Sequence, residues 1–278
     1  KRSANIAIQN CDLLISIGCS LNNIITAYNS FDFARNAVKI IFDIDENELL
    51  KTLPPNSYKI KTSAKNAISE LEKAFDKYGY LYKNSCNEWL AYCGELKRRF
   101  SFESDKAFSL KKINYEINKI SIYELMNGLS SLLADFKYIV TGSSGFCIEA
   151  FYVLYKNSSN QRILIDSGLG SMGFGLPAAI GVSKACKEKV ILIEGDGSLQ
   201  MNIQELQTLR SLNLNVKIFL MNNNGYLSIK STHKNFFGTV FGSHPKSGID
   251  FPNFVKVAKA YSINTYKIST YSALKKLP

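Results

Sequence analysis

Two short apolar runs, each ending in a polar turn, constrain this chain more than anything else in it. VILIE (190–194) runs into Gly195, Asp196 and Gly197, and VKIFLM (216–221) runs into Asn222, Asn223, Asn224 and Gly225. Runs of this length and composition, bounded by Gly and Asn, read as buried strands, and the helical period of MNIQELQTLRSL (201–212) makes it the connecting helix. The strands of such a βαβ unit are parallel and end on the same side of the sheet. Ligands gather outside the carboxyl ends of parallel strands, so Asp196 and Asn223 should face one crevice. Gly195 and Gly197 let the backbone turn tightly, and amide hydrogens around Ser198 could point at an anion. A carboxylate, an amide oxygen and a main-chain carbonyl form a hard-oxygen set suited to a Mg²⁺ ion that also holds a diphosphate. The plainer alternative is a Gly-Asp turn beside an Asn-rich loop in an Asn-rich chain.

A second stretch, DSGLGSMGFGLPAAIGVSKA (166–185), has glycines at 168, 170, 173 and 175, then Pro177 near the start of an Ala-containing helix. Read from its residues alone, it is a Gly-rich loop capping a tightly packed helix, with Met172 as core filler. Taken with GDG followed by NN, however, it resembles the thiamine diphosphate-binding motif, and the string itself is similar to the GLG-[ST]-MG-[YF]-GLPAAIGA signature of the acetolactate synthase branch of thiamine diphosphate enzymes. The resemblance implies that Asp196, the Asn223 side chain and the Gly225 carbonyl hold Mg²⁺. It further implies that Gly170, Ser171, Met172, Gly195, Gly197, Ser198 and Tyr226 contact the cofactor. Met172 would wedge between the two cofactor rings and fold them into a V, and the Gly170 carbonyl would accept from the 4′-amino group. The implied chemistry is decarboxylation of a 2-oxo acid such as pyruvate followed by carboligation, with the protein binding, orienting and setting the field.

The opening stretch NIAIQNCDLLISIGCSL resembles the family's central-domain sequence ADLVLALGARF, and VKIIFDIDENELLK (38–51) is similar to the strand and helix that close that domain. The expected fold is α/β, with two doubly wound parallel-sheet modules: a partial central Rossmann-like domain and a thiamine diphosphate-binding domain. The expected boundaries are 1–78 for the second half of the central domain, 79–118 for a helical connector and 119–278 for the cofactor domain with its last strand missing. Strands are expected near 12–17, 38–44 and 137–142, a helix near 63–78, and a helix capped by Ser121. In the family an activating Glu sits on an upstream pyrimidine-binding domain, usually supplied by another subunit. The resemblance thus implies a piece of a polypeptide about twice this length, a homo-oligomer, no catalytic acid or base within these residues, and little activity for the piece alone. Some relatives carry FAD in the central domain. GCSLNN (18–23) lacks the Arg and Asp of the corresponding family loop, which argues against FAD, although Asp43 and Asp45 could meet a ribose.

At 278 residues, a prior of about 150 residues per domain gives two domains. No run approaches the roughly 18 apolar residues of a membrane span, so no membrane partner is expected. The net charge of +11 raises nucleic acid as a partner. The lysines are dispersed, though, and the two basic clusters, KRRF (97–100) and LKK (110–112), read as a solvated helix face and linker. Six cysteines without CxxC or zinc-type spacing read as free thiols in a reducing cytoplasm. Trp89, Tyr92 and Phe100 read as packing residues.

Substrate choice should depend on 222–238. Acetolactate synthases carry an aromatic where this chain has Thr232, and simple decarboxylases often carry Glu where it has Ile229. Ser228, Thr232 and His233 are the candidate substrate residues. His233 could shuttle protons as histidines do, or it is a surface residue. The wording of this loop is also similar to acetolactate-synthase-like proteins found beside bacterial surface-sugar genes. Three alternatives to the synthase reading follow: a carboligase passing a two-carbon unit to a keto-sugar, a simple 2-oxo acid decarboxylase, and a non-catalytic regulatory or scaffold relative.

Overall fold

The computed structural model describes residues 2–23, 25–51, 54–101, 104, 120–142, 145–166 and 168–274. The chain divides into two compact units, Lys1–Lys112 and Ile113–Pro278.

The first unit contains helix α1 (Arg2–Asn10), strands β1 (Leu13–Ile17) and β2 (Val38–Asp43), helix α2 (Glu46–Leu50), strand β3 (Ser57–Lys61), helix α3 (Ala64–Tyr78), a 3₁₀ turn over Gly79–Tyr82, and helix α4 (Lys83–Arg99). The strands form a parallel sheet in the order β1-β2-β3. β1, β2 and α3 fall where the sequence places them. β3 is an addition: four of its five residues are exposed, so SYKIK carries no buried face for a pattern to reveal. Lys39 sits fully buried in the central strand, and its Nζ donates to the Ala37 (2.9 Å) and Pro55 (3.0 Å) carbonyls. Those two bonds offset the desolvation that lowers its pKa.

Only part of the aromatic packing reading for α4 holds. Phe100 is half-buried, with the Arg2 and Arg99 guanidinium carbons each 5.5 Å from its ring centre. Trp89 and Tyr92 instead pair with each other at 5.5 Å on an exposed face. Of the basic cluster KRRF, Arg98 forks onto Glu95 at 2.6 and 2.9 Å and Arg99 covers Phe100, so two of its charges are engaged locally. LKK (110–112) lies outside the described residues, as does most of 102–118 of the expected connector.

The second unit contains α5 (Ile122–Leu132), β4 (Tyr138–Thr141), α6 (Gly145–Leu154), β5 (Arg162–Leu164), α7 (Gly175–Cys186), β6 (Val190–Gly195), α8 (Asp196–Met201), α9 (Glu205–Ser211), β7 (Val216–Met221), α10 (Leu227–Thr232), α11 (Phe254–Ala260) and α12 (Tyr271–Leu274). All strand pairs are parallel, in the order β5-β4-β6-β7. The chain is thus α/β with two parallel sheets, as expected. β6 is buried along its first five residues, as a strand covered on both faces must be. On one face Val140, Val190 and Leu192 pack with Leu176, Ala179, Leu199, Leu206, Leu209 and Phe254. Ser121 caps α5 through a full capping box with Glu124.

The helix expected at 201–212 is shorter, Glu205–Ser211, and a separate helix precedes it. α8 begins directly at Asp196, and the chain breaks at Asn202, whose Nδ2 donates to the Gly173 carbonyl at 2.9 Å. An Asn side chain recruited by a neighbouring loop leaves the helix, a tertiary contact that overrides local propensity.

Candidate functional site

The parallel register sets Gly195 beside Met221, so the turns after β6 and β7 open at one edge of the sheet. Asp196 is 2% exposed. Its Oδ1 accepts from the Gly197 N–H at 2.8 Å, and its Oδ2 accepts from the Asn223 N–H at 3.0 Å and the Gly225 N–H at 3.3 Å. Burial pushes this carboxyl up from its ordinary value, and the N–H groups of Gly197, Asn224, Gly225 and Asn223 draw it back. The structure therefore brings together the three residues singled out as a metal set. The donor chemistry fits a hard divalent cation: a buried carboxylate, an exposed Asn223 able to turn its amide oxygen inward, and a main-chain carbonyl.

Glycines 195 and 197 act differently from expectation. Neither has a positive φ; β6 passes straight into α8, and the glycine at 197 is needed for closeness. A Cβ there would stand 2.2 Å from Cε1 of Tyr226, so the Tyr226 ring lies on the GDG backbone, braced on its other side by Phe251 at 5.6 Å. The Tyr226 N–H in turn donates to the Ser243 carbonyl at 2.8 Å.

The second motif is joined to the first. Ser198, 6% exposed, accepts the Gly173 N–H on its Oγ at 2.9 Å, while Asn202 holds the Gly173 carbonyl. The Ser198 hydroxyl thus has a partner within the protein. Gly170 adopts φ +63°. Asp166 organises the loop, its carboxylate accepting from the Leu169 and Ser171 N–H groups at 3.3 Å each. Leu169 and Met172 project into solvent, at 89% and 37% exposed. Met172 is therefore not core filler.

Met172, Gly195, Asp196, Gly197, Ser198, Asn223, Gly225, Tyr226 and Ser228 line one cavity of about 2070 Å³ that extends down the outer side of β7. Ser228 Oγ is buried there with no hydrogen-bond partner. Gly170, Ser171, Thr232 and His233 are not among its lining residues. His233 opens a π-helical turn, His233–Phe237, and its Nδ1 accepts from the Phe241 N–H at 3.4 Å; it is half-buried rather than fully exposed. Asp166, Glu194, Asn202 and Ser243 escaped the sequence reading. For Asp166 a signal existed, an Asp just ahead of a Gly-rich loop. The other three act through contacts with distant segments.

Among the described residues no group of three His, Cys, Asp or Glu side chains is placed to hold a metal. The six cysteines are free thiols. No described helix is long and apolar enough to cross a membrane.

Residues 141–277 match the family model for the thiamine pyrophosphate enzyme C-terminal TPP binding domain, and residues 1–71 match that for the thiamine pyrophosphate enzyme central domain. The acetolactate synthase large subunit of Buchnera aphidicola subsp. Schizaphis graminum is 33% identical over 274 residues, covering 98% of this chain and 45% of its own length. That of Cyanidium caldarium is 30% identical over 276 residues, 98% of this chain and 44% of its own. Acetolactate synthase 3, chloroplastic, of Brassica napus is 30% identical over 278 residues, 98% of this chain and 41% of its own. The chain spans less than half the length of these curated relatives.

Proposed function

We propose that this chain, which belongs to the thiamine pyrophosphate enzyme family, holds thiamine diphosphate through Mg²⁺ and takes part in decarboxylation of a pyruvate-like 2-oxo acid followed by carboligation, as in acetolactate synthase. The observation that carries the proposal is the buried Asp196 carboxylate, gathered with Asn223 and Gly225 at the mouth of one cavity beside Met172.

Within this reading, residues 119–278 form the cofactor domain, 1–78 half of a central domain and 79–118 the connector. Asp196, the Asn223 side chain and the Gly225 carbonyl hold the metal. Gly195, Gly197 and Ser198 present the start of α8 to the diphosphate, the Tyr226 ring fixes that turn from behind, and Gly170, Ser171 and Met172 meet the cofactor rings. When bound, the cofactor supplies the electron sink for loss of CO₂. What these residues contribute is position, and exclusion of water by the apolar walls of the cavity. The activating Glu comes from a pyrimidine-binding domain, so the working unit is a homo-oligomer. Ser228 is the substrate-facing residue best supported, because its hydroxyl is enclosed in the cavity and unpartnered. Thr232 and His233 stay weaker candidates. A keto-sugar acceptor is the second reading, favoured by Thr232 and Ile229 in the substrate loop.

Calorimetric titration of thiamine diphosphate into the intact protein, with Mg²⁺ and then with EDTA, followed by CO₂ release from pyruvate, tests the proposal. Mg²⁺-dependent binding and CO₂ release are expected, and Asp196→Ala should abolish the binding. No binding in either condition would leave a scaffold, and unchanged binding by Asp196→Ala would remove the metal assignment.

A further inference from the structure

One buried acidic side chain next to the candidate site has no part in the reading above. Glu194, the last side chain of β6 before the GDG turn, is 1% exposed. Its carboxylate lies in a slot between two glycines from different segments. A Cβ at Gly142, after β4, would stand 1.9 Å from Oε1, and a Cβ at Gly175, the first residue of α7, would stand 2.0 Å from Oε2. Oε1 accepts from the Gly195 N–H at 3.0 Å. Oε2 meets no full hydrogen-bond geometry, while the Ser198 hydroxyl and the Gly175 N–H both favour the ionised carboxyl.

The position of Oε2 matters because of α7. This helix of twelve residues has Phe174 at its N-cap, with no side-chain cap. The amino end of a helix carries unpaired N–H groups and a partial positive charge, and an anion placed there is favourable. The residues just before it are the Gly-rich loop that bears Met172.

We infer that Glu194 is a positioning residue for the cofactor: its carboxylate caps α7 from the neighbouring strand and fixes the Met172 loop, the 142 turn and the GDG turn relative to one another. This rests on the proposed cofactor reading. Two features support it. Gly142 and Gly175 leave space for this carboxylate and for no side chain of their own, so three segments converge on one group. A buried carboxyl is also a costly choice for a site that needs only filling, since an apolar side chain of similar volume is often neutral or stabilising.

The last point supplies the test in the intact protein. Glu194→Met fills the same slot without an acceptor, whereas Glu194→Gln keeps an acceptor for the Gly195 N–H. Unfolding temperature, Mg²⁺-dependent thiamine diphosphate affinity and hydrogen exchange of the 168–175 amides in the cofactor-free protein are measured for each. Expected for Glu194→Met is an unfolding temperature no lower than that of Glu194→Gln, faster exchange at 168–175, and affinity weaker by about tenfold, the loss of one hydrogen bond accepted by a buried carboxyl. Glu194→Gln should stay within about threefold of the native affinity. A Glu194→Met protein with native exchange and affinity would overturn the inference, because packing alone would then suffice. If the native protein binds no cofactor, the proposed function fails, and the exchange comparison still decides whether Glu194 holds the loop. If Glu194→Met does not fold, Glu194→Ala, which removes the acceptor without crowding the slot, takes its place: exchange at 168–175 faster than in Glu194→Gln supports the inference, and exchange no faster overturns it.

Discussion

A methyl group added at Gly175 would meet Leu192 Cδ1 at 3.0 Å as well as the Glu194 carboxylate, and both lie on a strand buried on two faces, where neighbours cannot retreat. Gly175→Ala should therefore lower unfolding stability by about 1–3 kcal/mol, the usual cost of overpacking, read as a lower urea midpoint at unchanged slope. Glu194 also makes stability depend on pH. Burial pushes its carboxyl from 4.5 up to about 7, with the nearby Ser198 hydroxyl and the Gly195 and Gly175 N–H groups opposing the shift. The folded state then holds a proton that the unfolded chain releases near 4.5. The resulting stability is fully present below that value and is lost as pH rises towards 7, on the order of 3 kcal/mol in all. Measured in EDTA without cofactor, stability should fall across that window, and Glu194→Gln should flatten the fall; an equally steep Glu194→Gln profile would assign the slope to another group. In the sequence Glu194 reads as an ordinary strand-end residue. Its burial depends on Gly142 and Gly175, which no local pattern connects to it.

Elements whose own residues encode them were legible. β6 and β7 are largely apolar runs, interrupted only by Glu194 and Lys217, and Ser121 with Glu124 spells out a capping box. Ser121→Ala should cost about 1 kcal/mol, seen as an earlier thermal transition of the second unit, with the Glu124 contact to the Ser121 N–H (3.3 Å) remaining. Elements made by tertiary contact were not legible. β5 is three residues, too short to show a period, and β3 is almost wholly exposed. The break between α8 and α9 depends on Asn202 reaching Gly173. The grouping of Asp196, Asn223 and Gly225 was legible because their spacing follows from the βαβ unit itself. Met172 was ambiguous from its type, since a Met in a Gly-rich loop packs equally well inwards or outwards, and only its neighbours turn it out.

Across the second unit, Leu169 at 89%, Phe236 at 78%, Phe237 at 70% and Phe241 at 68% exposure stand in solvent on the segments beside the candidate site. Exposed apolar side chains of this size are what a surface covered by another chain carries, in line with the homo-oligomer of the proposed function. The intact protein should sediment as a dimer or larger at micromolar concentration, and a fully active monomer would contradict this. A different consequence comes from the cross-brace between Ser198, Asn202 and the two main-chain groups of Gly173. Gly173 is gripped at both its N–H and its carbonyl by the segment that follows the GDG turn, so a substitution that loosens either motif would be felt in the other: the two behave as one mechanical piece.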